Sequence, residues 1–129
     1  MKNNPIIKMN KINHFSEHKK IRINNFSKAF IKHEVVKLIA VILIENKHKC
    51  TKIYTEFNGL NKEWKRKADI YFETKDGKYV VEVQKNMAND YQKKTELEYL
   101  DMDITPIIIP LNKISDNINK IWEELKSYI

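Results

Sequence analysis

The sequence predicts an α/β fold in which a mixed β-sheet is flanked by helices, with the elements in the order αβββαβα. Three observations support this prediction. A run of helical length without Gly or Pro opens the body of the chain, and three strand-like segments with short turns follow it. A helix, a short strand and an amphipathic helix then close the chain. Its 129 residues, 42% of them hydrophobic, suffice for one domain with one core.

The first predicted helix covers residues 28–48 and follows Ser27, a residue type that caps helix N-termini. Its second half, VVKLIAVILI, is apolar on nearly every side, so we expect this helix to lie centrally in the core. The β-branched residues of the run would also suit a strand, an alternative that the pattern leaves open.

Three strands are predicted next. Residues 51–60 alternate between two faces and end in an Asn-Gly turn signal, and residues 68–74 and 78–85 form the second and third strands. The pair Asp76-Gly77 is the strongest short hairpin signal in the chain. Connections this short predict an antiparallel meander.

The C-terminal third is predicted to be helix, strand and helix. Residues 91–101 form the helix, with Asn89 or Asp90 as its cap, and residues 104–111 form a buried strand parallel to the strand before that helix. The last helix is predicted to open at Ser115. Its apolar residues recur at helical spacing and should pack on the sheet: Ile118, Ile121, Trp122, Leu125 and Ile129.

The net charge is +7, and most of it lies in residues 1–26, where six Lys and Arg against one Glu give +5. We therefore divide the chain into a basic N-terminal arm, 1–26, and a domain, 27–129. A basic arm on a nearly balanced body favours a polyanionic partner such as nucleic acid or an anionic membrane surface. A solubilising tail accounts for the arm equally well. Within the arm, residues 19–26 could form a short strand.

Composition also restricts the compartment. The single cysteine, Cys50, excludes an internal disulfide and predicts a reduced, cytoplasmic protein. The longest apolar run, Leu38–Ile44, is too short to span a bilayer, and the N-terminus lacks the apolar segment of a signal peptide. No membrane partner is expected.

Two polar residues, Glu82 and Gln84, share one face of the otherwise apolar third strand. A hairpin centred on Asp76-Gly77 would pair residues whose numbers sum to about 153, which sets Asp69 opposite Gln84. Asp69, Glu82 and Gln84 should then cluster on one face. Adjacent carboxylates repel, and Mg²⁺ or Mn²⁺ would compensate them. The alternative is pairing with nearby lysines at the strand ends.

Further residues could complete such a site. Glu34 faces inward on the first helix and could supply a third oxygen, although pairing with Lys37 or Lys32 is equally consistent with its position. Basic and aromatic residues nearby could grip phosphates without reading bases. They are Lys62, Trp64, Lys65, Arg66 and Lys67 before the second strand, Lys93 and Lys94 on the following helix, and Lys19, Lys20 and Arg22 on the arm.

The segment ADIYFETKDGKYVVEVQK resembles the motif of the PD-(D/E)xK nuclease superfamily, with Asp69 as its first acid and Glu82-Val83-Gln84 as its acid-x-Lys element. The resemblance spans about residues 27–111. Ala68 stands in place of the motif's Pro and Gln84 in place of its Lys, as in the Glu-x-Gln branches such as the CoiA-like proteins. The small size, basic arm and helix Glu are also similar to archaeal or viral Holliday-junction resolvases.

This resemblance implies a restriction-endonuclease-like core and a Mg²⁺-dependent endodeoxyribonuclease, acting on branched DNA in recombination or repair and working as a homodimer. It implies that Asp69, Glu82 and the Val83 carbonyl hold the metal, with Glu34 as a further ligand. Gln84 would orient the attacking water, and Lys85 or Lys67 would stabilise the developing charge. Two alternatives remain: a catalytically inactive nucleic-acid-binding protein on the same fold, and an interaction module whose charge is incidental.

Overall fold

The computed structural model of the protein describes residues 19–24, 30–59, 67–85 and 89–129. These described residues form five strands, three α-helices and one short 3₁₀ turn. In chain order these are β1 (Lys19–Lys20), α1 (Ile31–Lys47), β2 (Cys50–Phe57), β3 (Ala68–Thr74), β4 (Gly77–Gln84), α2 (Asn89–Asp101), β5 (Thr105–Pro110), the 3₁₀ turn (Leu111–Lys113) and α3 (Ile118–Leu125).

The strands form one mixed sheet in the order β1-β2-β3-β4-β5. The pairs β2–β3 and β3–β4 are antiparallel, whereas β1–β2 and β4–β5 are parallel. The chain leaves β4, passes through α2 and returns as β5, as a parallel connection requires. The predicted α/β class, the meander and the parallel final strand are therefore confirmed.

Each face of the sheet has its own apolar cluster. Helices α1 and α3 pack on one face, which we call the α1 face, against strand residues such as Ile53, Ile70 and Val81. The opposite α2 face carries Tyr71, Val80 and Tyr99 with their neighbours. The central strands β3 and β4 alternate between the two clusters because side chains two apart share a face. Their buried positions on both faces explain why their sequences read as nearly continuous apolar runs.

The helix ends differ from the prediction. Helix α1 begins at Ile31, after Phe30, and the predicted cap Ser27 lies outside the described residues. Helix α3 begins at Ile118 instead of Ser115, because the Asn117 side chain accepts hydrogen bonds from two backbone N–H groups of its first turn. Ile118 is 63% exposed, so its predicted packing on the sheet is wrong. The same prediction is confirmed for other members of the stripe, Ile121, Leu125 and Ile129.

The β3–β4 hairpin has a different register from the predicted one. Thr74 pairs with Gly77 and Tyr71 with Val80, so paired numbers sum to 151 instead of 153. The turn is formed by Lys75-Asp76, and the Asp76 N–H donates to the Thr74 hydroxyl at 3.1 Å. That side chain stabilises the turn one position earlier than an Asp-Gly pair would, so Gly77 becomes the first residue of β4.

The described part of the predicted arm joins the sheet. Lys19 pairs with Ile53 and Lys20 with Tyr54, and the next residues, 21–24, continue along β2 outside regular structure. The strand predicted within 19–26 is thus limited to two residues, and residues 1–18 lie outside the described part. Among the helices that the structure describes, none combines the length and apolar character needed to cross a bilayer.

Candidate active site

Side chains along β2 and β3 alternate between the two faces of the sheet. This alternation is reversed where the two strands approach the N-terminus of α1, so that residues there point to the face opposite the expected one. The pairs Thr55–Ile70 and Phe57–Ala68 bracket Glu56 and Asp69. Glu56 has a φ of 53°, in the left-handed region that non-glycine residues rarely adopt. Beyond this point Phe57 stacks on Tyr71, on the α2 face, at a ring distance of 4.3 Å. Strict alternation would have placed Phe57 on the α1 face with Thr55.

This inversion turns the Glu56 carboxylate toward α1. Its Oε1 accepts a 2.7 Å hydrogen bond from Lys37 Nζ, and the same ammonium donates at 2.7 Å to Glu34 Oε1. Glu34 and Lys37 are 1% and 0% exposed. The predicted inward orientation of Glu34 is confirmed. Its partner is Lys37, one of the two lysines named above as possible surface partners, but both side chains of the pair are buried. The three side chains form a buried carboxylate–ammonium–carboxylate cluster, which we call the Lys37 cluster.

Electrostatics holds all three groups of the Lys37 cluster in their charged forms. Burial is the largest single effect and by itself raises the pKa of Glu34 and of Glu56. The hydrogen bonds and charge of Lys37, together with Asn24 and His33 at Glu34 and with Lys67 at Glu56, outweigh it and lower both pKa values. Burial likewise acts to lower the pKa of Lys37, and the hydrogen bonds to the two carboxylates raise it above its usual value. One ammonium between two carboxylates leaves an excess negative charge at this position.

Two neighbours extend the Lys37 cluster toward the surface. The Asn24 backbone N–H donates to Glu34 Oε1 at 2.6 Å, and its side-chain amide donates to Glu56 Oε1 at 2.7 Å. Lys67 lies 3.2 Å from Glu56 Oε2. The segment after β1 is therefore fixed beside the carboxylates, and the exposed Lys67 offsets part of their charge.

His33 links Glu34 to Asp69. Its Nδ1 lies 2.8 Å from Glu34 Oε2, and its Nε2 lies 3.3 Å from Asp69 Oδ2. The hydrogen bond to Asp69, with a smaller contribution from Glu34, raises the pKa of His33 to about 9 against the opposing effect of burial. His33 is thus an imidazolium at neutral pH, and it holds two carboxylates around one positive charge.

Asp69 also interrupts the β3–β4 ladder. The last pair of the ladder is Ile70–Val81. The next backbone N–H on β4 that points at β3 belongs to Val83, and it donates to Asp69 Oδ2 at 2.7 Å. A side-chain carboxylate takes the place of a backbone carbonyl here. The two strands consequently separate beside Asp69, at the end of the sheet nearest the start of α1.

The expectation that Asp69 and Glu82 point to a common face is wrong. Glu82 is 8% exposed, and its Oε1 accepts a 2.6 Å hydrogen bond from the hydroxyl of Tyr99 on the α2 face. Asp69 contacts His33 on the α1 face. The period-2 argument placed both on one face, and it fails because the alternation inverts at Asp69. Tyr99 is itself fully buried.

Gln84 and Lys85 lie at the end of β4. Gln84 is half-buried and pairs with Pro110 on β5. Its side-chain oxygen is buried and has no hydrogen-bond partner within the described ranges. Lys85 is exposed where the strand ends. Lys85 can therefore reach charged groups in solution, whereas the Gln84 oxygen cannot contact solvent.

The predicted phosphate-binding residues are only partly described. Lys62, Trp64, Lys65 and Arg66 lie outside the described residues. The remaining ones are exposed: Lys67, Lys93, Lys94, Lys19, Lys20 and Arg22. Lys19 lies 2.9 Å from Glu45, and Lys20 lies 5.7 Å from the centre of the Tyr54 ring. The described charges of the arm thus border the β2 edge of the sheet.

Sequence reasoning missed His33 and Glu56, and it did not foresee that Tyr99 would bind Glu82. His33 directly precedes Glu34, and Lys37 follows Glu34 by three residues, in an otherwise apolar helix. Charges at helical spacing on a buried face indicate a buried ion network, so this signal was present. Glu56 gave no comparable signal, because strict alternation would have turned it to the α2 face.

The site suits a hard divalent cation by donor chemistry. Asp69 and Glu34 are carboxylates arranged around a cationic side chain, and the His33 imidazolium stands where a positive charge is needed. Across residues 19–24, 30–59, 67–85 and 89–129, however, no three His, Cys, Asp or Glu side chains converge as a ready metal site. Glu34 and Asp69 contact opposite nitrogens of the His33 ring, so a metal held by both carboxylates would have to displace His33 and draw the two carboxylates together.

Comparison with protein-family models finds no match for this chain, and comparison with curated proteins finds no relative above the threshold of significance.

Proposed function

We propose that this protein is a metal-dependent endonuclease that hydrolyses phosphodiester bonds in DNA. One observation carries the proposal: at the point where β3 and β4 separate, Asp69 and Glu34 are held around a single positive charge. The order of the elements and the parallel β4–β5 pair also agree with the core that the nuclease resemblance implies.

Asp69 and Glu34 would hold the metal ion, with the Val83 carbonyl as the further ligand that the resemblance implies. Glu82, the other acid of the motif, lies on the opposite face of the sheet and would not bind the same ion. The bound ion would supply charge that polarises a phosphate and activates water. In the role that the resemblance implies, Gln84 would accept a hydrogen bond from that water with its side-chain oxygen, which has no partner among the described residues. An amide does not titrate usefully, so Gln84 orients the water and does not deprotonate it.

The exposed lysines would bind the DNA backbone. Lys67 lies beside the Lys37 cluster, Lys20 is the last residue of β1, and Arg22 lies in the segment that follows β1. Contacts of this kind fix the position of a duplex without reading its sequence. We therefore expect the protein to recognise the shape of the DNA backbone and not the base sequence. Branched DNA is the substrate form that the resemblance favours.

The test incubates the protein with supercoiled plasmid, single-stranded DNA and a synthetic four-way junction, in Mg²⁺, Mn²⁺ or EDTA. We expect cleavage with either metal and none in EDTA. Asp69→Asn keeps an oxygen for the Val83 N–H but removes the charge, and it should abolish cleavage and weaken Mn²⁺ binding measured by calorimetry. Glu82→Gln tests the second motif acid in the same two assays.

Glu123→Gln is the matched control, because it removes an exposed carboxylate on α3, where its partner is the equally exposed Lys126. This variant should cleave like the wild type. Cleavage that persists in Asp69→Asn, or that is insensitive to EDTA, would contradict the assignment. Loss of cleavage in Asp69→Asn but not in Glu82→Gln would place the metal on the α1 face alone.

A second function, DNA binding without cleavage, is favoured by one specific contact. Glu82 is bound by Tyr99 on the face opposite Asp69, so the two motif acids do not share a contact. A protein of this kind would bind DNA with an affinity that falls steeply with salt, and would not nick it in any metal. The same plasmid assay, combined with a salt titration of binding, separates the two functions.

A further inference from the structure

The segment that follows β1 is held against β2 by a side chain instead of by strand pairing. Backbone pairing stops after Lys20, and Glu56, with its left-handed φ, interrupts the regular geometry of β2 just beyond. The Thr55 hydroxyl takes the place of a backbone partner. It accepts a 2.6 Å hydrogen bond from the Arg22 N–H and donates back to the carbonyl of Arg22 or Lys20, at 3.3 and 3.4 Å. We call residues 19–24 the strap.

Both ends of the strap are fixed on α1. Lys19 Nζ lies 2.9 Å from Glu45 Oε2 near the end of the helix, and the Asn24 N–H donates at 2.6 Å to Glu34 Oε1 in its first turn. A helix rises about 1.5 Å per residue and an extended chain about 3.3 Å, so each path between these two contacts measures about 16 Å. The strap is therefore extended along its whole length and antiparallel to α1.

The strap combines a fixed backbone with exposed side chains. All of its residues are exposed, whereas Thr55 and Glu34, which hold its backbone, are 4% and 1% exposed. Within the part of the chain that the structure describes, neither Lys20 nor Arg22 is paired with a carboxylate. Because folding already fixes this backbone, binding of an anion to these side chains costs less conformational entropy than binding to a free segment.

We propose that Thr55 and Asn24 are positioning residues for nucleic-acid binding, which hold the strap so that Lys20 and Arg22 meet the phosphate backbone at fixed positions. The inference rests on the proposed DNA substrate and adds that two neutral side chains set the affinity for it. If these side chains served only the stability of the fold, the charges of the strap would bind phosphates equally well without them. Binding as a function of salt separates the two roles, since each phosphate contact steepens the dependence.

The test measures binding of a fluorescein-labelled DNA duplex by fluorescence anisotropy over a series of salt concentrations, in EDTA so that no cleavage intervenes. Arg22→Ala should weaken binding several-fold and lower the slope of log affinity against log salt by about one. Thr55→Val keeps the shape of the side chain but removes the hydroxyl, and it should have a similar effect although the net charge is unchanged. Asn24→Ala, at an exposed position, removes the amide that binds Glu56 and should also weaken binding.

The matched control is Thr51→Val. Thr51 is an exposed residue of the same strand, and its hydroxyl donates to the Glu73 carbonyl on β3 at 3.3 Å, so it does not hold the strap. This variant should bind DNA with the affinity and the salt dependence of the wild type. Thermal melting followed by circular dichroism shows that each variant is folded, and Asn24→Ala carries the same test if Thr55→Val does not fold.

A double-mutant cycle determines whether Thr55 acts through Arg22. The losses of Arg22→Ala and Thr55→Val should be clearly less than additive when the two are combined, because the hydroxyl has no charge left to position at Arg22. Full additivity overturns the proposal, and so does wild-type affinity and slope in the folded Thr55→Val and Asn24→Ala variants. A wild-type protein that binds DNA without cleaving it refutes the endonuclease but not this inference, whereas the absence of salt-dependent binding refutes both.

Discussion

Replacing Lys37 by Met should destabilise the protein strongly. Lys37 Nζ donates to Glu34 and to Glu56 at 2.7 Å each, and the Lys and Glu34 side chains are essentially inaccessible to water. Without the ammonium, two carboxylates stay close together in the interior, with Asn24, His33 and Lys67 as their remaining partners. Removing one member of a buried ion network costs about 3–5 kcal/mol.

A loss of that size is a large part of the roughly 5–15 kcal/mol by which domains of this kind are stable. It corresponds to a fall in melting temperature of roughly 10–20 °C for a chain of this length. Urea denaturation followed by circular dichroism measures the free energy of unfolding directly. The triple variant Lys37→Met, Glu34→Gln, Glu56→Gln should recover most of the loss, because no uncompensated charge is then buried.

The matched control is Lys126→Met. Lys126 also pairs with a Glu three residues away, Glu123 at 3.2 Å, but both side chains are at least half exposed. Its replacement should change the free energy of unfolding by at most about 0.5 kcal/mol. If Lys37→Met costs no more than this control, the Lys37 cluster does not contribute to stability as its geometry indicates.

The remaining predictions concern single contacts. Because the pKa of His33 is about 9 when folded and 6.5 when free, its contribution is fully present below pH 6.5. About 3 kcal/mol of the free energy of unfolding should be lost as the pH rises through 9, and His33→Gln should remove this dependence in urea titrations across that range. Tyr99→Phe deletes the hydroxyl that binds the buried Glu82, and should cost about 1–3 kcal/mol in the same assay. Asn117→Ala removes the α3 cap and should cost about 1 kcal/mol, whereas Asn117→Ser should restore most of it.

Local sequence patterns predicted the elements well but not their ends. The strand Ala68–Thr74 was predicted with the bounds that the structure shows, because an apolar run between turn signals has few other solutions. The start of α3 was placed at Ser115, since Ser is as good a cap as the Asn117 that is used. The predicted hairpin register was wrong because Thr74 stabilises a turn at Lys75-Asp76, whereas composition alone favours a turn at Asp76-Gly77.

The candidate site was harder to predict because it depends on a backbone irregularity. The residues named from sequence, Glu34 and Asp69, are joined through His33. The partner expected for Asp69, Glu82, lies on the other face, because the strands invert their alternation beside Glu56. A positive φ at a glutamate is set by the tertiary contacts of its carboxylate with Lys37, and no local signal in the sequence reports it.

The two margins of the described sheet resist the addition of foreign strands. At one margin, β1 is only two residues long and both are lysines; at the other, β5 begins and ends near Pro106 and Pro110, which have no N–H to offer. Fibril-like growth by edge pairing is therefore disfavoured, even though the central strands are rich in β-branched residues. Concentrated solutions should accordingly stay clear, and any self-association should saturate at a small complex built from side chains.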